Sequence, residues 1–186
     1  MRFFTARNLL AWIGICGIFL CIGCNSANKV NDSKSSSHNY TKQSIQAIMV
    51  ADRESVKAGQ PLTFLIAVLN GTKSPICIDG RMAFPGNLYI LVKLPDSRVI
   101  SASTIAVKQA IVTKEDIVNL PPNDLYGIRI TIAPTESITP KELRHPKPGV
   151  YTFWAEYYCR ESEWPKCKEL SLKSNSVKVL IENPHK

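Results

Sequence analysis

Histidine is scarce in this chain: only His38, His145 and His185 occur in 186 residues, and none sits in a stretch of hydrophobic periodicity. That removes the commonest general base and the commonest metal ligand from any ordered element. No Gly-x-Ser-x-Gly elbow, His-Glu-x-x-His pair or glycine-rich phosphate loop is present. Glu115, Asp116, Glu161 and Glu163 stand as ordinary surface acids rather than a hydrolase pair. The chain therefore reads as a non-enzyme with no cofactor and no metal. No segment carries a long amphipathic helical pattern, and residues 113–120 offer one turn at most. No apolar run reaches the roughly 20 residues of a spanning helix. The formal charge of +8 comes from scattered lysines such as Lys73, Lys93, Lys108, Lys141 and Lys178. A scatter is a solvated surface, not a nucleic-acid footprint.

What is present begins at the N-terminus. Arg2 and Arg7 precede an apolar stretch of about 14 residues, 9–22, which is too short to span and has the layout of an export signal. It ends in Leu20-Cys21-Ile22-Gly23-Cys24. That ending resembles the lipobox of bacterial lipoproteins, in which a small residue precedes the modified cysteine. The family usually carries Leu three places before that cysteine, and Cys21 stands there in this chain. The resemblance implies removal of residues 1–23 and acylation of Cys24, which becomes the first residue and the membrane anchor. Asn25 follows the cysteine where an Asp would favour inner-membrane retention, so in a diderm host the implied address is the outer membrane. Loss of Arg2 and Arg7 takes the formal charge from +8 to +6. Residues 24–43 hold almost nothing a core could use, Val30 and Tyr40 excepted, and read as a flexible tether. Such a linker reaches about 25 Å.

From residue 44 onward the hydrophobic period is two. Leu62, Phe64, Ile66 and Val68 alternate with Thr63 and Ala67, and Leu88, Ile90, Val92 and Leu94 do the same around Lys93; Ile128, Ile130 and Ile132 are interrupted by Arg129 and Thr131, and Val177, Val179 and Ile181 by Lys178. This is the pattern of strands with one face on a core. Turn chemistry separates the runs: Gly59-Gln60-Pro61, Pro95-Asp96, Pro121-Pro122-Asn123-Asp124 and Pro146-Lys147-Pro148-Gly149. The expectation is an all-β antiparallel sandwich over residues 44–186, large enough for its own core. The segments around residues 56–70 and 148–181 resemble the immunoglobulin-like sandwiches of secreted bacterial proteins. Tyr151, two residues past a turn glycine, falls where such folds place a tyrosine whose hydroxyl returns to nearby backbone. Trp154 is read as core beneath a loop.

Export removes Cys16 and Cys21 and lipid occupies Cys24, which leaves Cys77, Cys159 and Cys167 in a compartment that permits disulfides. The first expected pair is Cys159–Cys167, stapling the intervening loop at a gain of about 2–3 kcal/mol. Cys77, placed at the same end of the sandwich, is the alternative partner. Within that loop Arg160, Trp164 and Lys166 form the best binding candidate, an aromatic among charges being a common anchor. The functional expectation is a lipid-anchored envelope module that binds or assembles with an envelope protein or glycan. An inhibitor of exported peptidases, or a purely structural envelope protein, are the other readings.

Overall fold

A computed structural model describes residues 44–105, 113–159 and 169–183. The signal, Cys24, the tether, the Arg160, Trp164 and Lys166 loop and Cys167 lie outside them. The described chain is all-β, as the period-two pattern requires. Its strands in order are β1 Ile45–Ala51, β2 Ser55–Lys57, β3 Leu62–Asn70, β4 Ile76–Asp79, β5 Leu88–Lys93, β6 Val99–Ser101, β7 Ile117–Leu120, β8 Leu125–Ile132, β9 Gly149–Cys159, β10 Leu170–Lys173 and β11 Val177–Glu182. A single 3-10 turn, Lys114–Asp116, precedes β7, and one helical turn, α1 Lys141–Arg144, precedes β9.

Three sheets result. The first is the antiparallel set β1-β3-β8; the second runs β2-β11-β9-β5-β6; the third is the pair β4-β7. β9 organises the second sheet. One edge pairs with β5, while β11 and β10 lie end to end along the other, against residues 149–153 and 156–159. The alternation then sorts the side chains. Phe64, Ile66, Val68, Ile128, Ile130 and Met49 from the first sheet meet Leu88, Ile90, Val92, Tyr151, Phe153, Tyr157 and Val179 from the second, all buried in one core. The Phe64 and Phe153 rings, one from each sheet, lie 4.9 Å apart between centroids, the direct contact of the two layers.

The proline- and glycine-bearing segments turn the chain where the sequence placed them. Asn123 takes φ 59° inside its double-proline turn and Ser97 takes φ 73° beside Pro95-Asp96. Both sit in the left-handed region that short polar side chains tolerate. Gly149 has φ 148°, and a Cβ there would stand 2.8 Å from Pro95 Cγ, so both the backbone and the space require glycine as β9 begins. Two residues on, the buried Tyr151 donates its hydroxyl to the Lys147 carbonyl at 2.9 Å. That bond ties the start of β9 to the turn before it. Tyr151→Phe keeps the ring and leaves the carbonyl without this donor, so it is expected to lower unfolding free energy by about 1 kcal/mol in urea titration.

One correction concerns Trp154. It is half-buried, on the opposite face of β9 from Tyr151, Phe153, Ala155 and Tyr157. Its indole is not in the core, because its position is out of phase with the four residues that are.

Candidate functional site

The outward face of the second sheet carries a cleft of about 500 Å³. Its walls are Tyr89 and Leu91 of β5, Ser101 of β6, Glu156 and Tyr158 of β9, with Cys159, Glu169 and Leu170 at the end where β9 meets β10. Register explains why most of these residues meet. Tyr89 pairs with Glu156 and Leu91 with Trp154 across the β5–β9 ladder, Leu91 pairs with Ser101 across β5–β6, and Lys173 pairs with Glu156 across β10–β9, whereas Cys159 and its partner Leu170 belong to the inward-facing set and close the cleft at the strand end. Side chains two apart on one strand share a face, so the ladder writes a small lattice of outward residues. Glu156 is at its centre.

Its carboxylate is held from both sides. The Trp154 Nε1–H donates to one oxygen at 3.2 Å and the Tyr158 hydroxyl to the other at 3.0 Å. The bond to Glu156 is the main cause holding the Tyr158 phenol above its usual range, with burial second. Tyr158 meets Tyr89 edge to face, with ring centroids 5.8 Å apart and planes at 77°. Lys173 completes the row, its ammonium 4.8 Å from the Trp154 ring centroid. Three aromatic rings and one fixed carboxylate thus share an open sheet face.

A second cluster lies at the same end of the sandwich, facing inward. Asp79, at the end of β4 and only 3% exposed, accepts from both the backbone and the side chain of Arg81. Arg81 also lies 3.9 Å from Asp116. The bond to Asp79 is the first cause raising the Arg81 guanidinium above its ordinary value. Tyr157 donates to the Asp79 carbonyl and Tyr126 to the Gly80 carbonyl, each at 2.9 Å. Burial drives the Tyr157 phenol far above the usual range. The cluster is a structural knot: every carboxylate in it faces a guanidinium or backbone N–H, and it docks the small β4-β7 sheet against β9.

Cys77 and Cys159 belong to this knot. Burial is the main cause pushing the Cys159 thiol up, and the charges of Asp79 and Cys77 add to it. Cys77, half-buried on β4, is thus an electrostatic neighbour of Cys159 at the end of β9. Of the expected pairings, the one whose two residues are both described, Cys77–Cys159, would join β4 to β9. Cys167 lies outside the described residues. So do Arg160, Trp164 and Lys166, whose segment connects Cys159 to Glu169, both at the cleft. Cys24 likewise lies outside. Among the described residues no group of three or more His, Cys, Asp or Glu is placed to hold a metal ion.

Sequence reasoning missed Tyr89, Glu156 and Tyr158. A signal existed: Trp154, Glu156 and Tyr158 are the alternate positions of a strand whose other set is wholly apolar.

No protein-family model and no curated protein matches the chain. Among solved structures it is similar to the sporulation control protein Spo0M from Bacillus subtilis, at 7% identity and a TM-score of 0.42, over 74% of this chain and 49% of that one. A β-glucosidase from Erythrobacter marinus matches at 12% identity and a TM-score of 0.33, over 71% of this chain and 15% of that one. AvmM, which catalyses macrocyclization in alchivemycin A biosynthesis, matches at 9% identity and a TM-score of 0.36, over 78% and 93%. The chain thus spans about half of Spo0M and a small part of the glucosidase. Likenesses this distant carry no functional argument.

Proposed function

We propose that this chain is a non-catalytic binding module of the bacterial cell envelope, held to a membrane through acylated Cys24 and a flexible tether. The module is an immunoglobulin-like sandwich, and it meets its envelope ligand, a protein or a glycan, on the outward face of the second sheet. One observation carries the reading: the cleft in which Tyr89, Glu156 and Tyr158 converge from two strands. A carboxylate oriented by an indole and a phenol beside an aromatic wall is a preformed polar contact for a ligand. The immunoglobulin-like arrangement is supported by the Tyr151 bond to Lys147. The Gly23-Cys24 lipobox resemblance supports the anchor, and the polar residues 24–43 are long enough to let the sandwich face away from the bilayer.

The test is co-sedimentation of the full chain, in detergent micelles, with insoluble envelope material from the producing cells. The expected result is saturable retention that Tyr158→Ala weakens about tenfold, while its melting temperature and circular dichroism stay close to those of the parent. Retention unaffected by Tyr158→Ala and by Tyr89→Ala would remove the cleft as the binding site. No retention at all would remove the envelope-ligand reading.

A further inference from the structure

We infer that the cleft binds an uncharged carbohydrate, one or two sugar rings of a glycan chain; this rests on the cleft being the binding site proposed above. The argument starts from which hydrogen-bonding groups the lining offers. Glu156 and Glu169 present carboxylates, which accept only. The Tyr158 hydroxyl already donates to Glu156, so toward a ligand it too accepts. Ser101 and Tyr89 add hydroxyls that can serve either way. These acceptors complement a ligand rich in donors, and a phosphate, sulfate or carboxylate would meet the like charges of Glu156 and Glu169.

Two kinds of molecule are donor-rich: cations and polyols. Charge separates them. Lys173 stands directly across from Glu156 in the β10–β9 ladder, and its ammonium lies 4.8 Å over the Trp154 ring that donates to the same carboxylate. An organic cation entering the cleft would approach that ammonium. A neutral polyol avoids this repulsion. Its hydroxyls donate to the remaining lone pairs of Glu156 and to Glu169.

The apolar walls complete the match. The Tyr89 and Tyr158 rings and the Leu91 and Leu170 side chains give the cleft more apolar than polar wall. A pyranose has faces of C–H bonds, weakly positive, which settle on the negative face of an aromatic ring. At about 500 Å³ the cleft lies within the usual size of a small-ligand site and accommodates a mono- or disaccharide unit, with the chain continuing out of its open side. Tyr89 and Tyr158 are set edge to face rather than coplanar, so one ring offers its face and the other a side wall.

The experiment titrates the full chain, in detergent micelles, with chitotriose, cellotriose, maltotriose and mannotriose, read by calorimetry and tryptophan fluorescence. Choline and lysine amide serve as cationic probes. The expected result is saturable binding of at least one trisaccharide and of neither cation. Tyr89→Ala should weaken it at least about tenfold and Tyr89→Phe by less than about threefold, since the ring rather than the hydroxyl is the platform. Glu156→Gln should weaken it several-fold without altering the thermal melt. Binding of a cation that is lost in Glu156→Gln would overturn the carbohydrate while sparing the cleft. Sugar binding indifferent to Tyr89→Ala and Glu156→Gln would overturn the cleft itself. No binding of any of the four sugars, with Tyr158-dependent retention on envelope material intact, would overturn the carbohydrate alone.

Discussion

Replacing Phe153 by alanine is expected to destabilise the domain by about 4 kcal/mol, the range for emptying a buried phenylalanine site. The ring has no exposed surface. It lies 4.9 Å from Phe64 of the opposing sheet and 6.4 Å from Tyr151 on its own strand. It also sits on β9, the strand with partners along both edges, so the surrounding backbone has little freedom to close the hole. A loss of this size is a large share of the roughly 5–15 kcal/mol that a domain possesses. Equilibrium urea unfolding, followed by circular dichroism, measures it. A loss below about 1 kcal/mol would mean that Phe153 does not join the two sheets.

Asn70→Ala is the second large effect, expected at about 3 kcal/mol, and it acts through hydrogen bonds rather than volume. Asn70 has no exposed surface at the end of β3. Its amide nitrogen lies 2.9 Å from the carbonyl oxygens of Ser74 and Leu120 and 3.0 Å from that of Pro121. Its side-chain oxygen accepts from the backbone N–H of Thr72 at 3.0 Å and from the Thr72 hydroxyl at 2.6 Å. One side chain therefore fastens the segment after β3 to the end of β7. Alanine leaves the Leu120 carbonyl without this donor, and a buried acceptor without a partner costs about 1–3 kcal/mol by itself. Because the lost bonds hold the ends of β4 and β7, amide exchange in those strands should accelerate more than in β9. Uniform acceleration, or a loss under about 1 kcal/mol, would contradict this role.

The strands were legible because period-two alternation is a local signal. Leu62, Phe64, Ile66 and Val68, or Ile128, Ile130 and Ile132, reveal a buried face without knowledge of any partner. Turns were legible for the same reason, since the chemistry of Pro121-Pro122-Asn123-Asp124 is contained in four adjacent residues. The Tyr151 hydroxyl was also within reach, its acceptor Lys147 being four residues away. The cleft was not. Tyr89 and Glu156 are brought together by the pairing of β5 with β9, and that register depends on long-range packing. The strand phase nevertheless held part of the answer. Once Tyr151, Phe153, Ala155 and Tyr157 are taken as inward, Trp154, Glu156 and Tyr158 must face out together; the sequence reading placed Trp154 on one face with Thr152 and Glu156 but covered that face with a loop. The cysteines were intermediate: a shared end for Cys77 and Cys159 was inferable from strand order, but the Asp79–Arg81 knot around them was not.

Export is the claim on which the rest depends, because it sets the anchor, the redox state and the class of partner. Mass spectrometry of the intact chain and its peptides, taken unreduced from native membranes, tests it most directly. The account predicts a mature protein beginning at acylated Cys24 and carrying one disulfide, Cys159–Cys167 in the first instance or a bond of either to Cys77, with the third cysteine as the remaining thiol. A chain that keeps residues 1–23 and carries Cys77, Cys159 and Cys167 all reduced would contradict it.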